Sequence, residues 1–281
     1  MTRCQRLLVA CLCTGLFAGP ASGQGITQLF GGGPEGDWGA VGRLEFKDKA
    51  FCTGALISEA LVLTAAHCLF DRDTGAPVPV EEMEFLAGWE NGRAAAYRRV
   101  RRAVAHPDFD FTSATDSARV RHDLALLELQ HPIRNTTITA FATDEDPEAG
   151  DDVGVVSYGR RDETAPDLQE RCDVLSRQDG IIVMSCAVDF GASGAPVFSF
   201  ESGTPRIVSV VSAKAQVGED AVSLGVILGG TLDVLRDLLD AEIDQSRPPG
   251  VKTITGSGRP ATAAKFLRPA EREAETGAAS E

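Results

Sequence analysis

The sequence predicts an all-β sandwich or barrel, and three observations carry that expectation. Between Trp38 and Leu228 the apolar residues come in short runs such as "AVGRLEF", "LVLTAA", "LALLEL", "DVGVVSY" and "RIVSVVSA". The runs are rich in β-branched residues, and several alternate apolar with polar, the period of a half-buried strand. Clusters of Gly, Pro and Asp break them at short intervals, as turns between strands do.

Reading from the N-terminus, Arg3 and Arg6 precede the apolar run "LLVACLCTGLFAG", and the small residues Ala21 to Gly23 close it. That order is the one a secretory signal peptide has, so residues 1–23 are expected to be removed and the protein to be secreted or periplasmic. The run is short for a bilayer span of roughly 20 residues, and no other stretch is long enough, so no membrane association is expected after signal cleavage. Of the 7 cysteines, Cys4, Cys11 and Cys13 leave with the signal, and Cys52, Cys68, Cys172 and Cys186 stay. An even number in an oxidising compartment suggests disulfides. Three pairings are possible, and the sequence-local one, Cys52–Cys68 with Cys172–Cys186, is favoured. Each bridge would close a loop of about 15 residues, worth roughly 3 kcal/mol on the chain-entropy model. A zinc site is disfavoured because no two of these cysteines have the close spacing of a structural site. No metal and no organic cofactor is expected.

The chain carries 27 basic and 41 acidic residues, a net charge of −14. Such a surface repels nucleic acid and anionic lipid, which excludes neither an enzyme nor a binding module. Within it, "FATDEDPEAGDD" (Phe141 to Asp152) reads as a connection between two β units. One helix is expected late, in "TLDVLRDLLDAEID", where leucines repeat on one face, Thr231 is a candidate N-cap and Asp233 lies in the first turn. The Pro-, Gly-, Ala- and charge-rich residues 244–281 read as a disordered tail.

Three residues carry candidate chemistry. His67 stands in "TAAHC", Asp123 in "HDLALLEL" and Ser193 in "FGASGAPVF". A serine hydroxyl is a poor nucleophile at neutral pH and needs a base to take its proton during attack. Histidine suits the task because its ordinary pKa of about 6.5 lets it accept and release a proton near neutrality. A carboxylate on the other ring nitrogen fixes the tautomer and stabilises the imidazolium. Each residue alone has an ordinary reading: a structural histidine, a solvated charge, a tight turn. The remaining histidines, His106, His122 and His131, are read as structural or exposed.

The words "CTGALISEALVLTAAHC", "HDLALLEL" and "GASGAPV" together resemble the histidine, aspartate and serine signatures of chymotrypsin-fold serine peptidases, in that family's order. The resemblance covers about Trp38 to Asp240, and the scarcity of disulfides places it nearer the bacterial branches that include glutamyl endopeptidases. It implies two packed six-stranded Greek-key barrels with a C-terminal helix across residues 24–243, the site lying between the barrels. It implies a serine endopeptidase acting on a polypeptide substrate through an acyl-enzyme, as a monomer, with His67 as general base, Asp123 as orienting group and Ser193 as nucleophile. Backbone N–H groups of Gly191 and Ser193 are the implied oxyanion donors, whose loss typically costs about 3 kcal/mol of transition-state stabilisation. Ser209, Val210 and Val211 are the implied wall that pairs with an extended substrate, and Ala187, Val188 and Gly225 the implied primary pocket. The rival reading is a catalytically silent binding or adhesion module of the same fold.

Three departures from the family matter. Ala192 stands where trypsin-like enzymes have the aspartate that pairs with a newly cut N-terminal amine, so activation without that switch is expected. Val208 stands where glutamyl endopeptidases have a histidine, and Ala187 or Val188 where trypsin has its basic-selecting aspartate. A preference for small or medium apolar residues follows, with Asp189 as the one group able to favour basic ones instead.

Overall fold

The structure is a computed structural model, and it describes residues 26–28, 38–47, 50–113, 116–159 and 162–245. The expected signal peptide (1–23) and all but the first two residues of the expected tail lie outside the described residues.

Six antiparallel strands close the first barrel: β2 (Val41–Phe46), β3 (Ala50–Leu56), β4 (Leu61–Thr64), β5 (Met83–Ala87), β6 (Ala96–Ala105) and β7 (Ala125–Leu129), in the order β2-β3-β4-β7-β6-β5. The second is made by β8 (Asp152–Gly159), β9 (Asp162–Gln178), β10 (Ile181–Met184), β11 (Pro196–Ser199), β12 (Arg206–Val217) and β13 (Asp220–Ile227), and pairing of β8 with β9 closes it. A short β1 (Ile26–Gln28) adds antiparallel to β9, with Ile26 opposite Gln169. Closure leaves few open edges, which suits an all-β chain.

Alternation decides which faces are buried. In β6, Ala96, Val100 and Val104 are buried while Tyr97, Arg99 and Arg101 are exposed, with a bulge between Val100 and Arg102. β7 is buried except at Glu128, which meets Arg102 at 2.6 Å. The barrels join through aromatic rings: Trp38 packs edge-on against Phe198 (5.0 Å between centroids) and also meets Phe141 and Phe200. The Tyr158 hydroxyl, on β8, donates to the Trp89 carbonyl of the first barrel at 3.0 Å.

The acidic stretch does link the two barrels, and three of its carboxylates meet arginines. Arg206 meets Asp144 at 2.7 Å, and Arg177 reaches both Asp146 and Glu148. The late helix α2 (Gly229–Gln245) starts two residues before Thr231, so the expected cap is corrected. The Gly229 N–H is met instead by Asp146 Oδ1 at 3.1 Å, a cap supplied from the inter-barrel connection. Its Leu232, Leu235 and Leu239 are buried in the core, and Arg102 donates to the Leu239 carbonyl at 2.7 Å. A second helix, α1 (Asp116–Arg121), was not expected from the sequence; it is one and a half turns long and buries Val120. Among the described residues no helix is long and apolar enough to cross a membrane.

Candidate active site

His67 sits in a single 3₁₀ turn, Ala66–Leu69, directly after β4. The bridge from Cys68 to Cys52 on β3, with Cα atoms 6.4 Å apart, holds that turn against its neighbouring strand. Asp123 follows α1 and is 1 % exposed. Its carboxylate takes three donors: the His67 backbone N–H at 2.7 Å on Oδ1, His67 Nδ1 at 2.6 Å on Oδ2, and the Ser212 hydroxyl, also on Oδ2. Three donors on one buried carboxyl is the pattern of an acceptor-only carboxylate, and it fixes which imidazole nitrogen faces away from Asp123.

Ser193 lies in the loop between β10 and β11. The second bridge, Cys172–Cys186, ties the base of that loop to β9, with Cα atoms 5.0 Å apart. Several backbone donors around Ser193 are spent: Phe190 N–H on Asp189 Oδ1, Ala192 N–H on the Asp189 carbonyl and Ala195 N–H on the Ala192 carbonyl within the loop, and Gly194 N–H on the Val211 carbonyl of β12. Among the described residues, the N–H groups of Gly191 and Ser193 have no such partner. N–H groups left free beside a serine are donors that could face a negative charge developing there. Gly191 has φ +99°, and a Cβ there would press on the Tyr158 carbonyl at 2.6 Å and on the Phe51 ring, so only glycine fits.

His67, Asp123 and Ser193 line one cleft of about 340 Å³. Among the described residues no hydrogen bond joins the Ser193 hydroxyl to the imidazole, as in many ligand-free sites where that contact tightens only with substrate bound. A second groove of about 590 Å³ opens on the other side of His67, walled by Phe51, Phe70, Val78 and the Cys52–Cys68 bridge.

The expected substrate wall needs correction. Ser209 and Val210 are fully buried, and β12 at these positions pairs with β11 on one side and β13 on the other, so no edge is left for a substrate. A bulge between Val211 and Ala213 turns the strand out of the barrel, and beyond it β12 pairs with β13 alone. The cleft is lined by Val211, Ser212, Ala213 and Lys214. Gly225 is also buried in the barrel, where a Cβ would strike Ser209 Oγ. Val188 lines the cleft, whereas Ala187 faces a neighbouring cavity with Ser157 and Gln169, its N–H bonded to Gln169 Oε1 at 2.8 Å. Asp189 is engaged at the cleft rim: Lys214 Nζ lies 3.7 Å from its carboxylate and 4.2 Å above the Phe190 ring.

Sequence reasoning missed Thr53, Thr64, Ser212 and Lys214. Thr53 ties the serine loop to the first barrel: its N–H donates to the Ser193 carbonyl at 2.8 Å, and its hydroxyl donates to the Gly191 carbonyl at 2.8 Å while accepting from Tyr158 N–H at 3.0 Å. Thr64 supports it by donating to the Thr53 carbonyl at 2.8 Å. Only the serine that ends "VVSA" could have been flagged, since "SVVS" offers two and burial decides between them. The histidine beside Asp123 is not on a strand. His122 is half-buried and stacks face to face on buried His106, centroids 4.8 Å apart. Burial, and then the adjoining His122 ring, lower the His106 pKa below the ordinary histidine value.

A family model described as Trypsin matches residues 32–226. Serine protease 56 of Homo sapiens is 29% identical over 140 residues, covering 48% of this chain and 22% of that protein. The Mus musculus protein of the same description is 29% identical over the same length and coverage. The chain thus spans about a fifth of the length of these curated relatives. The solved structure of a Glu endopeptidase in complex with MPD is similar with a TM-score of 0.63 at 15% identity, over 77% of this chain and 97% of that one, a likeness of fold.

Proposed function

Since the chain belongs to the trypsin family, we propose that it is a serine endopeptidase working through Ser193, His67 and Asp123. The observation that carries the reading is His67 Nδ1 held 2.6 Å from a buried Asp123 on the wall of the cleft that also contains Ser193. His67 Nε2 takes the Ser193 proton as the hydroxyl oxygen attacks the substrate carbonyl, and Asp123 stabilises the imidazolium that forms. The N–H groups of Gly191 and Ser193 receive the negative charge that develops on the carbonyl oxygen. His67 then hands the proton to the leaving amine, and water repeats the sequence on the acyl-enzyme.

An extended polypeptide adds as a strand along Ser212 to Lys214, where β12 has an open edge. Residues after the scissile bond occupy the groove beside the Cys52–Cys68 bridge. Asp189, engaged by Lys214, does not select basic side chains, which supports a preference for small or medium apolar residues against Val188. A peptide-library profile dominated by Arg, Lys or Glu would refute that preference. Maturation proceeds without a new N-terminal amine, because buried Ala192 has no carboxylate to receive one. Two disulfides and the N-terminal signal pattern support a secreted or periplasmic site of action, and the chain acts as a monomer.

The direct test is labelling with a serine-reactive fluorophosphonate. Wild-type protein is expected to be modified at Ser193 and the Ser193→Ala variant to stay unlabelled. Unlabelled wild-type protein that is folded and of full length would favour the silent binding module instead.

A further inference from the structure

The first barrel carries a cluster of ligating side chains that the proposed chemistry does not use. His106, Asp108 and His122 each offer one donor atom, all within 4.8 Å of one another. They come from two chain segments whose backbones are locked together. His106 N–H donates to the Leu124 carbonyl at 3.0 Å, Phe109 N–H to the His106 carbonyl at 2.9 Å, and Leu124 N–H to the His122 carbonyl at 2.8 Å. The Asp108 N–H donates to His106 Nδ1 at 3.2 Å, which leaves Nε2 of that ring as its outward ligand atom. The other cluster of comparable composition, Cys52, His67 and Cys68, is different in kind: its sulfurs are joined in a disulfide and are no thiolate ligands.

From this geometry we propose that His106, Asp108 and His122 form a site for one divalent transition-metal ion, zinc by preference. Two imidazoles and a carboxylate are a three-ligand set that zinc accepts, with water in the fourth position. In a tetrahedral site with metal–ligand bonds of about 2.0 Å, neighbouring donors lie roughly 3.4 Å apart, so the trio must draw in by little more than an ångström. Backbone anchoring makes that contraction a matter of side-chain rotation. The two rings lie with planes only 10° apart, and parallel rings cannot aim at one ion, so the half-buried His122 must turn. His122 is bonded directly to Asp123. Occupancy therefore pulls on the residue that orients His67 and opposes the arrangement needed at Ser193.

The site is tested by titrating full-length Ser193→Ala protein with Zn²⁺ in a calorimeter. One ion per chain is expected, with micromolar or tighter affinity, and Co²⁺ in its place is expected to show the visible bands of a tetrahedral site. Asp108→Asn, at an exposed position, and His122→Asn are each expected to weaken zinc binding about tenfold or more. No binding at roughly 100 µM zinc, or unchanged affinity in either variant, overturns the proposal. The link to Asp123, which rests on the peptidase reading, is tested separately by fluorophosphonate labelling: zinc is expected to slow labelling of wild-type protein and to spare Asp108→Asn. Binding without any change in labelling rate overturns that link and leaves the site standing, and a chain that never labels leaves the calorimetric test intact.

Discussion

Thr53 spends both its peptide N–H and its hydroxyl on the loop that carries Ser193, and this gives it an influence out of proportion to its size. Thr53→Val keeps the shape but leaves the Gly191 carbonyl and the Tyr158 N–H without their partner in a buried place, each worth about 1–3 kcal/mol. Because the Gly191 carbonyl belongs to the turn proposed to bind the oxyanion, part of that loss is expected in turnover: a fall in kcat of tenfold or more with a smaller change in KM. Ser212→Ala removes one of three donors on Asp123 while keeping the other two. A smaller fall in kcat, about three- to tenfold, is expected, as for one hydrogen bond to a charged group. Equal kcat values for both variants and wild type would show that the loop and carboxylate are held by other means. Thr53 was not legible in the sequence, because it acts through bonds to chain segments far away along it, and Ser212 was legible only as one of the two serines in "SVVS".

At the scale of elements, legibility followed hydrophobic pattern. β2, β4, β7, β8 and β12 read directly as apolar runs. β6 and β9 do not, since "AYRRVRRAVA" and "DETAPDLQERCDVLSRQ" interrupt their buried positions, among them Val100, Leu168, Cys172 and Val174, with charged and polar residues. α1, six residues long, is too short to show a stripe, and it precedes Asp123. The start of α2 shifted because Asp146, 83 residues before Gly229, meets its first N–H. Asp146→Ala is therefore expected to fray the first turn of α2 and cost about 1 kcal/mol, seen as faster amide exchange in residues 229–232 with little change near Leu239. The Cys172–Cys186 bridge spans 14 residues and secures the serine loop. Replacing both cysteines by alanine is expected to cost about 3 kcal/mol in chemical denaturation, and losing far less would mean that the loop is held by its backbone bonds alone.

The proposed chemistry needs the two barrels in register, since His67 and Asp123 belong to the first and Ser193 to the second. Besides Thr53, the contact most exposed to a simple test is Tyr158, whose phenol crosses from β8 to the Trp89 carbonyl. Burial raises its pKa well above the ordinary tyrosine value, more than the nearby Arg43 lowers it. The sign of the consequence follows. A chain unfolded above pH 10 releases this proton while the folded protein keeps it, so the unfolded state binds fewer protons and stability falls as pH rises through and beyond about 10. Below that pH the contribution is fully present. Tyr158→Phe removes the titrating group together with its hydrogen bond. It is expected to lower stability by about 1 kcal/mol at pH 8, through loss of the donor to Trp89, and to flatten the decline of unfolding free energy above pH 10. Urea unfolding at several alkaline pH values measures both effects. A variant whose stability declines as steeply as wild type would show that the barrels are not joined through a protonated Tyr158, and that the aromatic packing of Trp38 against Phe198 carries the junction instead.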